Sequence, residues 1–282
     1  MTMLDRLITA KWALEASYHE RVANIILAGK LTVFRLDDRR EPYFEVVTPS
    51  AIGDSRAYEY LPKIKGKSGK VAIIPIMGAM SRYGDLCSWG TEDIGAWIME
   101  ANADDSVSAI VLEINSPGGE VDGTEMLGYI VKNSQKPVVA YVAGMAASAA
   151  YWVASQAREI VMESKTSSEV GSIGVLAMHV DASKFYEKEG LKVTIIRSEG
   201  SDDKALFNSV EPLTDEMLKE VKAQLAPIKN QFIQTVKSGR AGISEEVFTG
   251  KMYPGGQAIK LGMADRIGFL GDAVRRADEL AK

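Results

Sequence analysis

The run SAIVLEINSPGG, Ser108 to Gly119, reads as a buried strand that ends in a tight glycine turn. Its apolar residues follow one another without the polar alternation of a half-solvated strand, so both faces are predicted to be covered, as in a parallel sheet. Pro117 fixes one backbone dihedral, and Gly118 and Gly119 let the chain turn closely. The same rhythm extends outward in both directions. A strand is predicted over Val71 to Ile76 and a helix over Glu92 to Ala103. After the glycine turn come a helix over Val121 to Asn133, a strand over Pro137 to Val142, a helix opening near Ala147 and a strand over Glu159 to Met162. This alternation predicts an α/β fold with right-handed crossovers between parallel strands.

Farther along, Ser172 to Ala177 and Val193 to Ile196 read as strands, and Ala182 to Glu189 as a helix that stops at Gly190. Met217, Leu218, Val221, Leu225, Ile228, Phe232 and Val236 recur at helical spacing, with Pro227 expected to kink or split their helix. Residues 1–69 read as an N-terminal extension. They carry the signals of one or two short amphipathic helices between Leu7 and Leu27, Trp12 and Leu14 included, then an irregular stretch rich in charge, Pro and Tyr. Residues 70–282 form the main domain.

The composition narrows the function. The chain has 282 residues, 46% hydrophobic and 25% charged, enough for a sizeable core. Its net charge of -5 argues against nucleic acid as a partner, because phosphate binding relies on clustered Lys and Arg. Cys87 is the single cysteine, so neither an intrachain disulfide nor a cysteine metal cluster is available, and no cofactor or metal is expected. A reducing, cytoplasmic setting follows. Charged residues from Asp5 to Glu20 interrupt any export signal. The charge-free stretch from Pro137 to Ala157 contains Gly144, Ser148, Ser155 and Gln156 and reads better as buried strand and helix than as a membrane span.

Two segments carry chemistry. The Asn115 to Gly119 loop can aim bare N–H groups at a carbonyl oxygen, although a short glycine motif alone equally marks an ordinary βα turn. The second is Gly144-Met-Ala-Ala-Ser148-Ala-Ala-Tyr-Trp152. It sets a hydroxyl among small residues at a strand-to-helix junction, where a nucleophilic oxygen can be exposed and the next N–H, of Ala149, can receive an oxyanion. A serine packed in an alanine-rich helix is the plainer alternative. Both segments fall at the carboxyl ends of consecutive parallel strands, where α/β proteins place their sites. The two histidines, His19 and His179, give a Ser-His-Asp triad little material.

Ser116-Pro-Gly-Gly119, Met145-Ala-Ala-Ser148-Ala-Ala-Tyr151 and Gly171-Ser-Ile-Gly-Val175, in this order and spacing, resemble the signal peptide peptidase A family of serine proteases. Tyr253-Pro-Gly-Gly-Gln-Ala258 and Leu261-Gly-Met-Ala-Asp265 extend the resemblance to about two thirds of the chain. It implies a crotonase/Clp protease-like fold and a Ser-Lys dyad. Carried over, Ser148 is the nucleophile, Lys204 the general base, Gly119 and Ala149 the oxyanion donors and Ser172 the residue that orients the lysine. Lys204 is the only lysine between Ser198 and Asn208, in a loop longer than the usual pattern. A lysine base must be neutral, whereas the adjacent Asp202 and Asp203 favour its charged form unless they point to solvent. The motif supports neither Lys165 nor Lys192.

Trp12 and Leu14 with the amphipathic segment after them resemble the bacteriophage branch, the prohead or capsid maturation proteases. That branch implies a polypeptide substrate such as a capsid or scaffold protein, no membrane anchor, and a place in the host cytoplasm or the prohead. A degradative peptidase, a crotonase-like acyl-transfer enzyme and a silent assembly protein remain as alternatives. Leu86, Trp89, Trp97, Tyr58 and Tyr60 offer aromatic and apolar surface for a homo-oligomer. Met145, Ala146, Ala147 and Ala149 suggest a pocket for small or medium apolar side chains.

Overall fold

A computed structural model describes residues 12–14, 42–46, 70–84 and 88–282. In chain order the strands are β1 (Trp12–Leu14), β2 (Tyr43–Val46), β3 (Lys70–Met77), β4 (Val107–Ser116), β5 (Gly118–Glu120), β6 (Val138–Ala147), β7 (Glu159–Met162), β8 (Glu169–Gly171), β9 (Met252–Pro254) and β10 (Arg266–Ile267). The α-helices are α1 (Thr91–Ala103), α2 (Thr124–Lys132), α3 (Ala149–Ala154), α4 (Ser183–Lys188), α5 (Asp215–Gly239), α6 (Gly255–Lys260) and α7 (Leu270–Leu280).

Among the described residues, the main sheet runs β10-β7-β6-β4-β3-β2. Its strands are parallel except at the β2 edge, which is antiparallel to β3. The far end of β6 turns to a different neighbour: Met145, Ala146 and Ala147 pair in parallel with β8, which in turn pairs antiparallel with β9. β5 leaves the main sheet and pairs antiparallel with β1.

The continuous apolar runs explain why the sheet is sandwiched. Side chains alternate across a strand, so Ile110, Leu112 and Ile114 of β4 join one core cluster with α1, α2, α3 and α5, while Ala109 and Val111 join another against α7. A helix layer on each face gives the three-layer α/β architecture. Each fully buried Leu or Ile at these positions contributes about 1.5–3 kcal/mol through the apolar surface it removes from water. Stacking of Trp152 on Phe232, at 4.4 Å between ring centroids, fastens α3 to the long helix α5.

Several expectations change. The residues from Ser172 to Ala177 and from Val193 to Ile196 do not form strands. Val193 and Ile196 are exposed, so their alternation has no core to face. The strand in the first region lies one step earlier, as β8. β6 runs five residues past Val142, reaching Ala147. Helix α5 is not split at Pro227. The carbonyl of Ala223, which loses its amide partner there, sits on an exposed turn where water can take the bond. The helix over Ala182 to Glu189 is found as α4, with Gly190 at φ 74° just beyond it. Trp89 and Trp97 pack edge to face at 5.1 Å and are partly buried against the core. Leu86, Tyr58 and Tyr60, and the helical signals between Leu7 and Leu27, lie outside the described residues except for the short β1.

Candidate active site

The strand β6 stops at Ala147, and the chain turns sharply at Ser148 into α3. Ser148 holds φ 53° and ψ -116° at the N-cap position of that helix. Among the described residues only Ser148, Ser172 and Ala205 take a positive φ without being glycine. Backbone strain of this kind, about 1–3 kcal/mol per residue, persists only where the surroundings enforce it and concentrates at functional sites. Here all three fall on or beside candidate residues. The Ser148 N–H donates to the Gly171 carbonyl at 2.8 Å, and the Ser148 carbonyl accepts from the Trp152 N–H at 2.8 Å. Its hydroxyl donates a long bond of 3.4 Å to the Gly174 carbonyl. Ser148 is fully buried, as are Ala147, Ala149 and Ala150 around it.

The glycine loop lies on the neighbouring strand, since Ser116 of β4 pairs with Ala146 of β6. It is held from within. The Ser116 hydroxyl donates to the Gly78 carbonyl at 2.6 Å and accepts from the Gly118 N–H at 3.2 Å. Met80 bridges the far side, donating its N–H to the Gly118 carbonyl at 2.8 Å and accepting from the Glu120 N–H at 2.9 Å. A Cβ on Gly119 would collide with the Met80 carbonyl oxygen, so only glycine fits there. The Ala149 N–H is a first-turn donor of α3, with no partner inside the helix. Ser148 and the two expected oxyanion donors, Gly119 and Ala149, thus stand on adjoining elements.

Ser172 also holds φ 53°, and its N–H donates to the Lys251 carbonyl at 2.8 Å. Its position is coupled to the Ser148 turn, because the preceding Gly171 accepts the Ser148 N–H. The Ser172 hydroxyl makes no hydrogen bond to a described residue.

Lys204 sits in an exposed turn from Asp202 to Ala205. The turn is tied down through its backbone. Arg197 donates to the carbonyls of Lys204 at 2.7 Å and Ala205 at 3.0 Å, and pairs with Glu211 at 2.7 Å. Asn208 donates to the same Glu211 carboxylate at 2.7 Å. Hydrogen bonds from Arg197 and then Asn208 hold the Glu211 carboxyl below the usual carboxylate range. The Lys204 ammonium has no hydrogen-bond or ion-pair partner among the described residues, and it is not bonded to Ser148. Asp202 and Asp203 are exposed, as is Lys204 itself. Lys165 and Lys192 are exposed as well.

His179 is engaged elsewhere. Its Nε2 lies 2.6 Å from the Asn208 carbonyl, with the ring tilted against Phe207 at 5.1 Å. His19 lies outside the described residues. Of the expected pocket residues, Ala146, Ala147 and Ala149 are fully buried in the core, which leaves Met145 as the half-exposed side chain of that set. The sequence alone did not single out the Gly174 carbonyl or the Arg197–Asn208–Glu211 knot. The first lies inside a motif already quoted; the second joins residues too far apart for a local pattern.

The parallel sheet, the strained serine at a strand-to-helix turn and the pinned glycine loop beside it define an α/β protein of Clp protease-like fold. The sequence matches the Clp protease family over residues 86–166 and peptidase family S49 over residues 130–282. The chain belongs to peptidase family S49. It is 35% identical to the MJ0651 protein of Methanocaldococcus jannaschii over 63% of this chain and 58% of that one. It is 28% identical to Protease 4 of Haemophilus influenzae over 75% of this chain and 35% of that one. To capsid assembly protease C of Escherichia phage lambda it is 29% identical, over 72% of this chain and 48% of that one. The chain therefore spans between about a third and three fifths of these relatives. Among the described residues no helix is long and apolar enough to cross a membrane.

Proposed function

We propose that the chain is a serine endopeptidase that uses a Ser148–Lys204 dyad. Ser148 Oγ adds to the carbonyl carbon of a peptide bond as its proton passes to neutral Lys204 Nζ. The N–H groups of Gly119 and Ala149 receive the oxyanion. Lys204 then returns the proton to the leaving amine, and a water, deprotonated by the same lysine, releases the acyl group. Ser172, whose hydroxyl makes no hydrogen bond to a described residue, orients the ammonium. The observation that carries this reading is Ser148 at φ 53° at the end of β6, with the orphan Ala149 N–H behind it and the glycine loop on the adjacent strand.

For catalysis the Lys204 turn must approach Ser148, and the knot around Arg197 would move with it as a unit. A capsid or scaffold polypeptide is the proposed substrate class, supported by the similarity to the lambda capsid assembly protease. Met145 favours apolar side chains at the cleaved position. Homo-oligomerisation is proposed on a different surface from the one expected: Phe185, Leu191, Val193 and Ile196 are exposed together on the segment preceding Lys204.

A silent assembly protein is the second reading, favoured by one observation, the buried Ser148 with no base bonded to it among the described residues. Labelling with a fluorophosphonate separates the two. A peptidase is labelled at Ser148 and the Ser148→Ala protein is not; absence of labelling in the wild-type chain at alkaline pH supports the silent reading.

A further inference from the structure

The candidate oxyanion strand is already paired. β1 lies antiparallel on β5, with Trp12 opposite Glu120, Ala13 opposite Gly119 and Leu14 opposite Gly118. The direction of the bonds follows from the other edge. Met80 takes up the Gly118 carbonyl and the Glu120 N–H. Successive residues of a strand direct their backbone groups to opposite edges, so the N–H and carbonyl of Gly119 point away from Met80. That is the edge β1 occupies. Ala13 and Gly119 are then the pair that exchanges both bonds, and the Ala13 carbonyl lies before the N–H assigned to receive an oxyanion. A second observation agrees: in this arrangement Ser148 is entirely shielded from solvent.

An extended polypeptide recognises a sheet edge by this same backbone pairing, with side chains alternating to either side. We infer that Trp12–Leu14 is a tethered occupant of the strand position that a polypeptide substrate takes on β5, and that its departure opens the site. The inference rests on the peptidase reading above and adds its regulation: the chain holds its own N-terminal segment where substrate must bind. The tether has three ladder pairs among the described residues, and substrate strands of better fit displace it. The apparent affinity for substrate is reduced by the fraction of molecules in which the edge is free.

Substituting Ala13→Pro in the full chain tests this, since proline has no N–H to donate to the Gly119 carbonyl and is poorly tolerated in a paired strand. Ala13→Val keeps the N–H and serves as the control. Two measurements avoid activity altogether. Hydrogen exchange should find the Gly119 amide protected in the wild-type chain and unprotected in Ala13→Pro. In the inactive Ser148→Ala background, a fluorescein-labelled synthetic peptide of residues 8–18 should bind Ala13→Pro about tenfold more tightly than the Ala13 protein if one molecule in ten is open at rest. A rapidly exchanging Gly119 amide in the wild-type chain, or equal peptide binding with and without Ala13→Pro, overturns the inference. The wild-type exchange experiment decides even if Ala13→Pro does not fold. If exchange and binding follow the inference while no variant cleaves any polypeptide, the tether stands and the peptidase reading falls.

Discussion

Ser148 and Gly171 are joined by one backbone hydrogen bond of 2.8 Å, from the N–H of the first to the carbonyl of the second. Through it the Ser148 turn at the end of β6 and the residue just before Ser172 cannot move independently. Gly171 itself holds φ 137°, and a Cβ there would strike the Lys251 carbonyl. Gly171→Ala should therefore lose about 1–3 kcal/mol of stability. It should also lose fluorophosphonate labelling at Ser148 out of proportion to the folded fraction. Denaturant unfolding and labelling of the same sample check the two together.

At the end of α5, Arg240 makes a two-pronged pair with Asp265, at 2.7 and 2.9 Å, and Asp265 also accepts the Ile160 N–H at 2.7 Å. Arg240 is buried while Asp265 is about a third exposed. Removing one member of a buried pair costs about 3–5 kcal/mol, and partial exposure of Asp265 puts Arg240→Ala toward the lower end. Asp265→Ala should cost more, because it leaves a buried guanidinium and an amide without an acceptor. Urea unfolding of both variants checks the order, and labelling per folded molecule should stay near wild type.

The Lys204 turn should loosen in acid. Glu211 is held below the ordinary carboxylate range by Arg197 and Asn208, so its contribution is complete at neutral pH. It is lost as the pH falls through the depressed folded-state value and the carboxylate is protonated. The NMR signal of the Arg197 Nε–H, bonded to the Lys204 carbonyl, should broaden or shift across that range. Glu211→Gln should produce the change already at neutral pH. A signal indifferent to both would mean the knot does not depend on Glu211.

The sheet was legible because Val71 to Ile76, Ser108 to Ile114 and Glu159 to Met162 are runs that only burial on both faces can explain. Val193 to Ile196 shows the limit of that signal: Val193 and Ile196 lie exposed, and no strand among the described residues pairs with the segment. β8, Glu169–Gly171, was missed for the opposite reason. Its three residues form a strand only because the extended end of β6 lies beside them. At β1 the helical reading fails: Trp12–Leu14, expected within a short amphipathic helix, is extended because it pairs with β5. At the site, small residues at a strand end marked Ser148 and Ala149 as candidates, and the family resemblance marked Gly119. The exposure of Lys204 was not, because a turn's distance from the core depends on how residues 178–214 pack as a whole.

The dyad itself is tested most directly by turnover of a peptide substrate by folded Lys204→Ala, Lys204→Arg and His179→Ala proteins. Loss of a general base typically lowers the rate ~10² to 10⁴-fold, and arginine keeps the charge without being able to act as a base. Both Lys204 variants should fall by that factor, wild-type activity should rise toward alkaline pH, and His179→Ala, whose imidazole is engaged with Asn208, should remain near wild type. A Lys204→Ala protein that cleaves as fast as wild type while His179→Ala is dead would contradict the account and put a histidine in the place of the lysine.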